Sequence, residues 1–512
     1  MVTKHKGPKG SGLGELKPYK DKIKALARAY GLDFFDEDFE KLDFEQMNAI
    51  AAQGGFPQRY PHWKFGMEYN HLSKRYKHGL HKIYEMVINN DPCYAYLLES
   101  NNKVDQKIVI GHVYGHNDFF KNNIAFSKTN RKMMDVMGNH AAKVKKYIDK
   151  YGFEEVENFL DICLTIEDLI DPHSVFIRRA CDDKSLFMSM NDDEHPLVKK
   201  IPAKEYMNGF INPKDVLSKE QQRLDIEHEL KKLAQRKEKF PEEPQKDVLL
   251  FLVEHAPLEE WQREILWMIR EEGYYFAPQA ETKIMNEGWA TYWHEKIMTE
   301  HMLTDAEIID FADHHSGTIA AIPGQINPYR LGWQLWKDIE DRWNKGKFER
   351  EYEDCDDYAI RKNWDKKLGL GRKKIFDVRK TYTDITFIDE FFNEEFCYEN
   401  KYFAYAYNKE KNLYEIVSRD WKFVKESLLF SLTNHGKPFI YVINGNYENR
   451  GELFLRHRHE GRDLQITYAR RTLRSIFEIW KRPVHIETVV DDKPKVFSCD
   501  SKKYALESDE ES

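Results

Sequence analysis

Residues 108–123 read IVIGHVYGHNDFFKNN, and this stretch carries the most informative pattern in the chain. His112 and His116 are four residues apart, so both imidazoles lie on one face of a helix, as the paired histidine ligands of many zinc enzymes do. Gly111 and Gly115 allow another backbone segment to approach this face closely. We therefore predict a helix with a metal-binding pair. The alternative is that the two imidazoles are structural core histidines.

A second informative stretch is 277–294, APQAETKIMNEGWATYWH. Glu287 and His294 are seven residues apart, which is about two helical turns or 10.5 Å. Aromatic residues flank them, and burying a carboxylate and an imidazole there is costly unless they are paired or bind a metal. We predict Glu287 as a metal ligand and His294 as a ligand or as a base beside the site. The alternative is a buried Glu–His pair that joins two helices.

The two stretches together predict a metal centre. His112, His116 and Glu287 form the donor set of catalytic zinc sites that keep one position open for water. Imidazole and carboxylate ligands also suit Mn, Fe and Ni, so the prediction is a divalent ion, with Zn preferred.

The general base of this hypothetical site differs from that of the HExxH enzymes. In those enzymes a Glu follows the first His, whereas Val113 stands at that position here. The proton would then be accepted by one of three other residues, which are Glu281, His294 and Asp118.

Most of the remaining sequence has helical periodicity. Apolar residues recur at helical spacing from about Pro18 to Asn344, and we include the stretch 86–98 among the helices. After residue 425 the pattern changes to short β-branched or aromatic runs with a helix over 468–480. These runs are 438–444, 452–457, 463–467 and 484–490. The predicted fold class is mainly α, with a large helical body and a small C-terminal α+β module.

The same composition shifts predict the domain organisation. The predicted parts are a flexible N-terminal lead at 1–20, a helical body at 21–424 with a charged helical arm at 219–240, an α+β module at 425–503 and an acidic tail at 504–512.

The composition is that of a soluble globular protein. The 512 residues include 79 basic and 87 acidic side chains, a net charge of −8. Nucleic acids and anionic membranes bind basic patches, so the balance argues against both as main partners. We expect no signal peptide and no membrane insertion, since no apolar run reaches the roughly 20 residues of a membrane span. Six cysteines without a CxxC pair favour reduced thiols and a cytoplasmic location.

Long aromatic-rich segments resemble the stage V sporulation protein R (SpoVR) family, in the same order and over roughly residues 32–503. The segments are HWKFG at 62–66, IYEMVINNDPCYAYLLE at 83–99, HVYGHNDFFKNN at 112–123, ETKIMNEGWATYWH at 281–294, INPYRLGWQLWKDIE at 326–340, GELFLRHRHEGRDL at 451–464 and RPVHIETVVD at 482–491.

This resemblance implies a link to spore cortex formation, or to stress physiology in bacteria that form no spores. It also implies a serine protein kinase of the AAA type as a partner. With the predicted metal site, we expect a metal-dependent hydrolase of amide or peptide bonds that acts on a small or cell-wall-related substrate. The alternative is a non-enzymatic regulator or scaffold that acts with the kinase.

Overall fold

The structure is a computed structural model that describes residues 13–77, 82–177, 223–224 and 240–500. These residues are mainly helical with a C-terminal group of strands and a helix, which confirms the predicted fold class. They divide into two compact units, Met1–Asn158 with Glu271–Lys437, and Phe159–Arg270 with Pro438–Ser512. The predicted acidic tail and nearly all of the charged arm lie outside the described residues, and the predicted domain boundaries stay a prediction.

The first unit is built mostly from helices, which pack around a core that includes the fully buried Trp289, Trp293 and Trp336. Its described helices are Lys17–Ala29, Phe44–Ala52, Trp63–Lys77, Lys103–Asn122, Met133–Tyr151, Lys283–Ile297, Ile308–Thr318, Pro328–Lys345, Arg350–Glu353, Tyr358–Lys362, Gly371–Thr381, Asp384–Phe391, Glu394–Glu399 and Trp421–Leu432. Two further helices cross the unit boundary, Phe153–Thr165 and Glu260–Glu281.

Two helices of this unit carry the residues singled out by the sequence. We call Lys103–Asn122 the histidine helix and Lys283–Ile297 the glutamate helix. The histidine helix begins at Asn102, whose side chain accepts a hydrogen bond from the Asp105 N–H at 2.7 Å and so caps the first turn. Most of the histidine helix is buried, because helices and strands surround it on several sides.

The stretch 86–98 is not helical, so this part of the sequence prediction is wrong. It forms β2 (Glu85–Ile88) and β3 (Cys93–Leu98), and β3 lies between β2 and β1 (Glu37–Leu42) with β1 parallel and β2 antiparallel to it. The central strand β3 is largely buried, so its apolar residues run almost continuously. Such a run cannot be told from a buried helix by periodicity alone.

The remaining strands lie later in the chain. A hairpin of β4 (Ala404–Asn408) and β5 (Leu413–Ser418) belongs to the first unit. The second unit contains a four-stranded sheet in the order β6–β7–β8–β9, with β7 and β8 parallel. Its strands are β6 (Phe439–Tyr447), β7 (Glu452–Arg458), β8 (Val484–Val490) and β9 (Lys493–Cys499), and the α-helices that lie wholly within its described residues are Val248–His255 and Ile466–Trp480.

The C-terminal strands were only partly predicted. The runs at 438–444, 452–457 and 484–490 are strands, whereas 463–467 is not, since the helix already begins at Ile466. Gln465 caps this helix by accepting a hydrogen bond from the Tyr468 N–H at 2.7 Å, which ends the extended conformation there. No described helix is long and apolar enough to cross a membrane.

Candidate metal centre

Glycine brings the histidine helix and the glutamate helix into backbone contact. A Cβ on Gly115 would lie 2.6 Å from Ala290 Cα, and one on Gly111 would lie 3.5 Å from His294 Cα. Any larger side chain at Gly115 would push the helices apart. This close approach sets the face that carries His112 and His116 against the face that carries Glu287.

The start of the glutamate helix is held by a distant carboxylate. Asp384 accepts hydrogen bonds from the N–H groups of Ile284 and Met285, both at 2.8 Å. These two donors belong to the first turn, where backbone N–H groups have no partner inside the helix. Asp384 thereby fixes the position of the helix one turn before Glu287.

Three buried side chains meet at the crossing of the two helices. Glu287 Oε2 lies 3.4 Å from His112 Nε2 and 3.4 Å from His116 Nε2. One ligand atom from each residue lies within 4.8 Å of the others, and the three residues are 3%, 8% and 7% exposed in chain order. Two atoms that bind a tetrahedral ion at about 2.1 Å are about 3.4 Å apart. The separations therefore suit a shared metal ion.

Each of these three side chains is held by a partner on its far side. His116 Nδ1 lies 2.9 Å from Asn286 Oδ1, and because an amide oxygen only accepts, Nδ1 carries a hydrogen that it donates to Asn286. His112 Nδ1 lies 2.9 Å from His294 Nδ1. Lys283 Nζ donates to Glu287 Oε1 at 2.6 Å, which leaves Oε2 to face the imidazoles. Such outer partners orient metal ligands.

The electrostatics differ between the two imidazoles of the cluster. Burial opposes the charge of His116, but Glu287 and Asn286 raise the pKa of this imidazole. Burial lowers the pKa of His112 to about 4, so this imidazole is neutral at pH 7. Burial opposes the charge of Glu287, but Lys283 and the two imidazoles hold the pKa of this carboxyl well below its usual range. Among the described residues, His112 Nε2 and Glu287 Oε2 are buried without a hydrogen-bond partner of good geometry. Buried polar atoms of this kind call for a ligand.

Comparison with known proteins decides the lineage of the chain. The sequence profile described as SpoVR like protein matches residues 11–437, and that of the SpoVR-like C-terminal domain matches residues 438–491. The chain belongs to the SpoVR family. This SpoVR-family protein is similar to the uncharacterized protein YcgB of Escherichia coli (strain K12), with 29% identity over 93% of this chain and 92% of YcgB. No solved structure matches it.

The SpoVR-family protein has one further carboxylate at the cluster, which the sequence did not indicate. Glu85 is the first residue of β2, and its Oε1 lies 3.9 Å from His112 Nε2. Burial raises the pKa of this carboxyl to about 7. Glu85 lies just before the stretch 86–98, and neither a motif nor a spacing relates it to the two histidines.

The predicted bases lie in different surroundings. His294 is buried directly behind His112, on the side that faces away from Glu287. Glu281 ends the helix before the glutamate helix, and its Oε1 lies 4.0 Å from His435 Nε2. The structure thus brings His294 to the cluster as a hydrogen-bond partner of His112, and it gives Glu281 a neighbour outside the cluster.

Asp118 also has partners away from the cluster. Its carboxylate is fully buried and lies 2.7 Å from Arg379 Nη1, and it accepts hydrogen bonds at 2.8 Å from Trp289 Nε1 and from the backbone N–H of Asp33. Three such donors occupy most of the acceptor sites of a carboxylate. Asp118 therefore joins helices in the core of this SpoVR-family protein.

Proposed function

We propose that this protein binds one divalent metal ion through Nε2 of His112, Nε2 of His116 and Oε2 of Glu287. The observation that carries the proposal is the pair of 3.4 Å separations around Glu287 Oε2, which match the spacing of ligands on a tetrahedral ion. Two of the three atoms, His112 Nε2 and Glu287 Oε2, are buried and, among the described residues, have only this longer contact, which satisfies them poorly. A bound ion would satisfy both atoms. Zn suits the donor set best, and Mn, Fe and Ni are the other candidates.

We further propose that the metal centre hydrolyses an amide or peptide bond in a small or cell-wall-related substrate. Three protein ligands leave a fourth position open, where a divalent ion lowers the pKa of water and polarises a carbonyl group. Glu85 is the carboxylate that lies beside the ligands from another element, and we assign it to hold the attacking water. In HExxH enzymes the Glu after the first His has this role, and Val113 stands at that position here. Glu85 would supply the missing carboxylate.

Metal analysis of the full chain, purified without a His tag, tests the metal site. Inductively coupled plasma mass spectrometry should find about one divalent ion per chain, either as purified or after incubation with Zn²⁺ or Mn²⁺. His116→Ala and Glu287→Ala should each lower this stoichiometry to near zero, whereas His71→Ala, which alters an exposed histidine, should not. A folded wild-type chain that takes up no metal under any of these conditions contradicts the proposal.

The hydrolytic step is tested separately on metal-loaded protein. Peptide libraries and peptidoglycan fragments are incubated with the full chain, and products are identified by mass spectrometry. Cleavage should stop when a chelator is added and return with Zn²⁺. If His116→Ala and Glu287→Ala still fold and keep the cellular function, the non-enzymatic regulator is favoured instead. The cytoplasmic location, the link to spore cortex formation or stress, and the AAA-type serine protein kinase partner are part of this proposal.

A further inference from the structure

Three polar side chains form a line across one face of the C-terminal sheet. His485 in β8 pairs with Phe454 in β7 on one side and with Ser498 in β9 on the other. Glu452 is two residues before Phe454, and side chains alternate along a strand, so it projects from the same face. The sheet register alone thus places Glu452, His485 and Ser498 side by side.

The contacts within this line join serine, imidazole and carboxylate in the order of a catalytic triad, with the two ring nitrogens exchanged. His485 Nε2 lies 2.8 Å from Glu452 Oε2, and His485 Nδ1 lies 2.7 Å from Ser498 Oγ. A carboxylate only accepts, so in the neutral imidazole the hydrogen is on Nε2. Nδ1 is then an acceptor, and the hydroxyl of Ser498 donates to it. A serine whose proton points at an oriented imidazole is an activated nucleophile.

The surroundings favour this tautomer. Arg450 makes two hydrogen bonds to the Glu452 carboxylate, at 2.5 and 2.9 Å, and chiefly through them the pKa of Glu452 falls to about 2. The side chains of His485 and Glu452 are only 14% and 10% exposed, so water competes weakly for these contacts. The ring of Tyr447 lies 5.3 Å from the imidazole of His485. Ser498 itself is partly exposed and can be reached by a reagent.

We propose that Ser498 is a reactive nucleophile, with His485 as its base and Glu452 as the residue that orients the base, and that it accepts acyl groups from activated acyl esters. In the first step the Ser498 Oγ–carbon bond forms while the serine proton moves to His485 Nδ1. The bond from the carbonyl carbon to the leaving alcohol then breaks, and the alcohol departs with that proton. Water attacks the acyl-serine, gives a proton to His485, and releases a carboxylic acid as Ser498 recovers its hydrogen.

This site does not depend on the metal centre, and the test uses that independence. The full chain is treated with a fluorophosphonate probe, and the adduct is located by intact-mass and peptide mass spectrometry. We expect one adduct, on Ser498, which forms equally well in the presence of a chelator and in His116→Ala. Ser498→Ala should abolish it, His485→Ala should slow it by at least about 100-fold, and Ser127→Ala, at an exposed serine whose hydroxyl donates to the Ile124 carbonyl oxygen, should leave it unchanged.

A second measurement tests whether His485 acts as a base. It uses a small alkylating reagent, so the result does not depend on the binding of an acyl ester. Ser498→Cys should react with iodoacetamide at least about tenfold faster than the double variant Ser498→Cys with His485→Ala, because the imidazole favours the thiolate. In ¹⁵N spectra of histidine-labelled protein, Glu452→Ala should shift His485 away from the Nε2–H tautomer. The proposal is overturned if the wild type forms no adduct on Ser498, if the two cysteine variants react at the same rate, or if the tautomer of His485 does not respond to Glu452.

Discussion

Gly115 in the histidine helix lies directly against the backbone of Ala290 in the glutamate helix. A Cβ on Gly115 would lie 2.6 Å from Ala290 Cα, which is closer than real Cβ atoms approach backbone, and 3.1 Å from Ala290 Cβ. The glutamate helix makes a second close contact on another side, where a Cβ on Gly288 would lie 2.4 Å from Gly332 Cα in the helix Pro328–Lys345. The position of Glu287 is therefore set by backbone contacts on either side of it.

Gly115→Ala should separate the two helices and weaken the metal site. Overpacking of this kind costs about 1–3 kcal/mol of unfolding free energy. The metal affinity should fall by about tenfold or more, because a metal site tolerates displacements of only about 0.5 Å. Urea denaturation and metal titration measure the two effects.

A matched control is Gly317→Ala in the helix Ile308–Thr318. A Cβ there has no neighbour within 4 Å, so the substitution should stabilise the protein by about 0.5–1 kcal/mol through helix propensity. If Gly115→Ala behaves like Gly317→Ala, the close helix contact is not what positions the site.

Asn286→Ala should lower the metal affinity without removing a ligand. The side-chain oxygen of Asn286 accepts a hydrogen bond from Nδ1 of His116. Loss of such an outer partner lowers metal affinity about 10–100-fold. Asn286→Asp keeps an oxygen acceptor at the same place and should retain the affinity or increase it. Competition with a chromogenic chelator measures both variants, and equal weakening by Ala and Asp would contradict this role.

Glu85→Gln should separate metal binding from hydrolysis. The amide cannot replace the carboxylate as the group that holds the attacking water, so turnover should fall by at least about 100-fold. The metal content should not change, because Glu85 Oε1 lies 3.9 Å from His112 Nε2 and is outside the three-ligand set. Glu68→Gln, at an exposed glutamate, is the control. Loss of the metal in Glu85→Gln would instead make Glu85 a ligand.

Asp118→Asn should destabilise the protein and leave the metal site loaded. Asp118 and Arg379 form a fully buried ion pair at 2.7 Å. Removing one charge leaves the other buried without a counter-charge, which lowers the unfolding free energy by about 3–5 kcal/mol. Asp118→Leu with Arg379→Met should recover much of this loss, since neither charge is then buried alone. Denaturant unfolding gives the free energies, and metal analysis of the folded variants gives the stoichiometry. A folded Asp118→Asn chain without metal would assign Asp118 to the metal site.

The stabilisation from His140 should depend on pH. His140 Nδ1 lies 3.1 Å from Glu272 Oε1 and Nε2 lies 3.3 Å from Glu271 Oε2. Burial opposes the charge of the imidazole, but these two carboxylates, one of which also binds Arg59, raise the pKa of His140 above 6.5. A raised histidine pKa stabilises the folded state fully below the unfolded pKa of about 6.5, and this stabilisation is lost as the pH rises through the folded value.

His140→Gln supplies the measurement for this effect. The difference in unfolding free energy between the wild type and His140→Gln should be about 1.5–3 kcal/mol near pH 5.5, as for hydrogen bonds to charged groups, and should shrink towards pH 9. Urea titrations at a series of pH values follow this difference. A difference that grows with pH would mean that the imidazole is neutral in the folded protein.

The parts of the site that follow from local geometry could be predicted. His112 and His116 share a face because four residues make about one helical turn, and this holds wherever the helix packs. Glu287 could be singled out because a carboxylate among aromatic residues on a helix is costly to bury without a partner. In the C-terminal region, residue type and turn signals predicted β6, β7, β8 and the helix, whereas the strand at 463–467 was wrong and β9 was not predicted.

The features that the sequence did not predict share one physical cause. Burial and contacts between distant segments determine them, and neither can be read from the local sequence pattern. The stretch 86–98 is a pair of strands because β3 is covered on both faces, and this removes the alternation that marks a strand. Glu85 reaches the cluster only through the position of β2, and the pairing of Asp118 with Arg379, which is distant in sequence, could not be predicted from local pattern.

The sequence by itself determined which helix faces carry imidazole and carboxylate groups, because the helical repeat is a property of neighbouring residues. It determined the lineage as well, through segments that keep their order along the chain. Only the tertiary structure decided which of these groups meet. The backbone contact of Gly115 with Ala290 brings Glu287 to the two histidines, and the register of β7, β8 and β9 brings Glu452 and Ser498 to His485. Packing between distant segments sets these distances, and no local pattern encodes them.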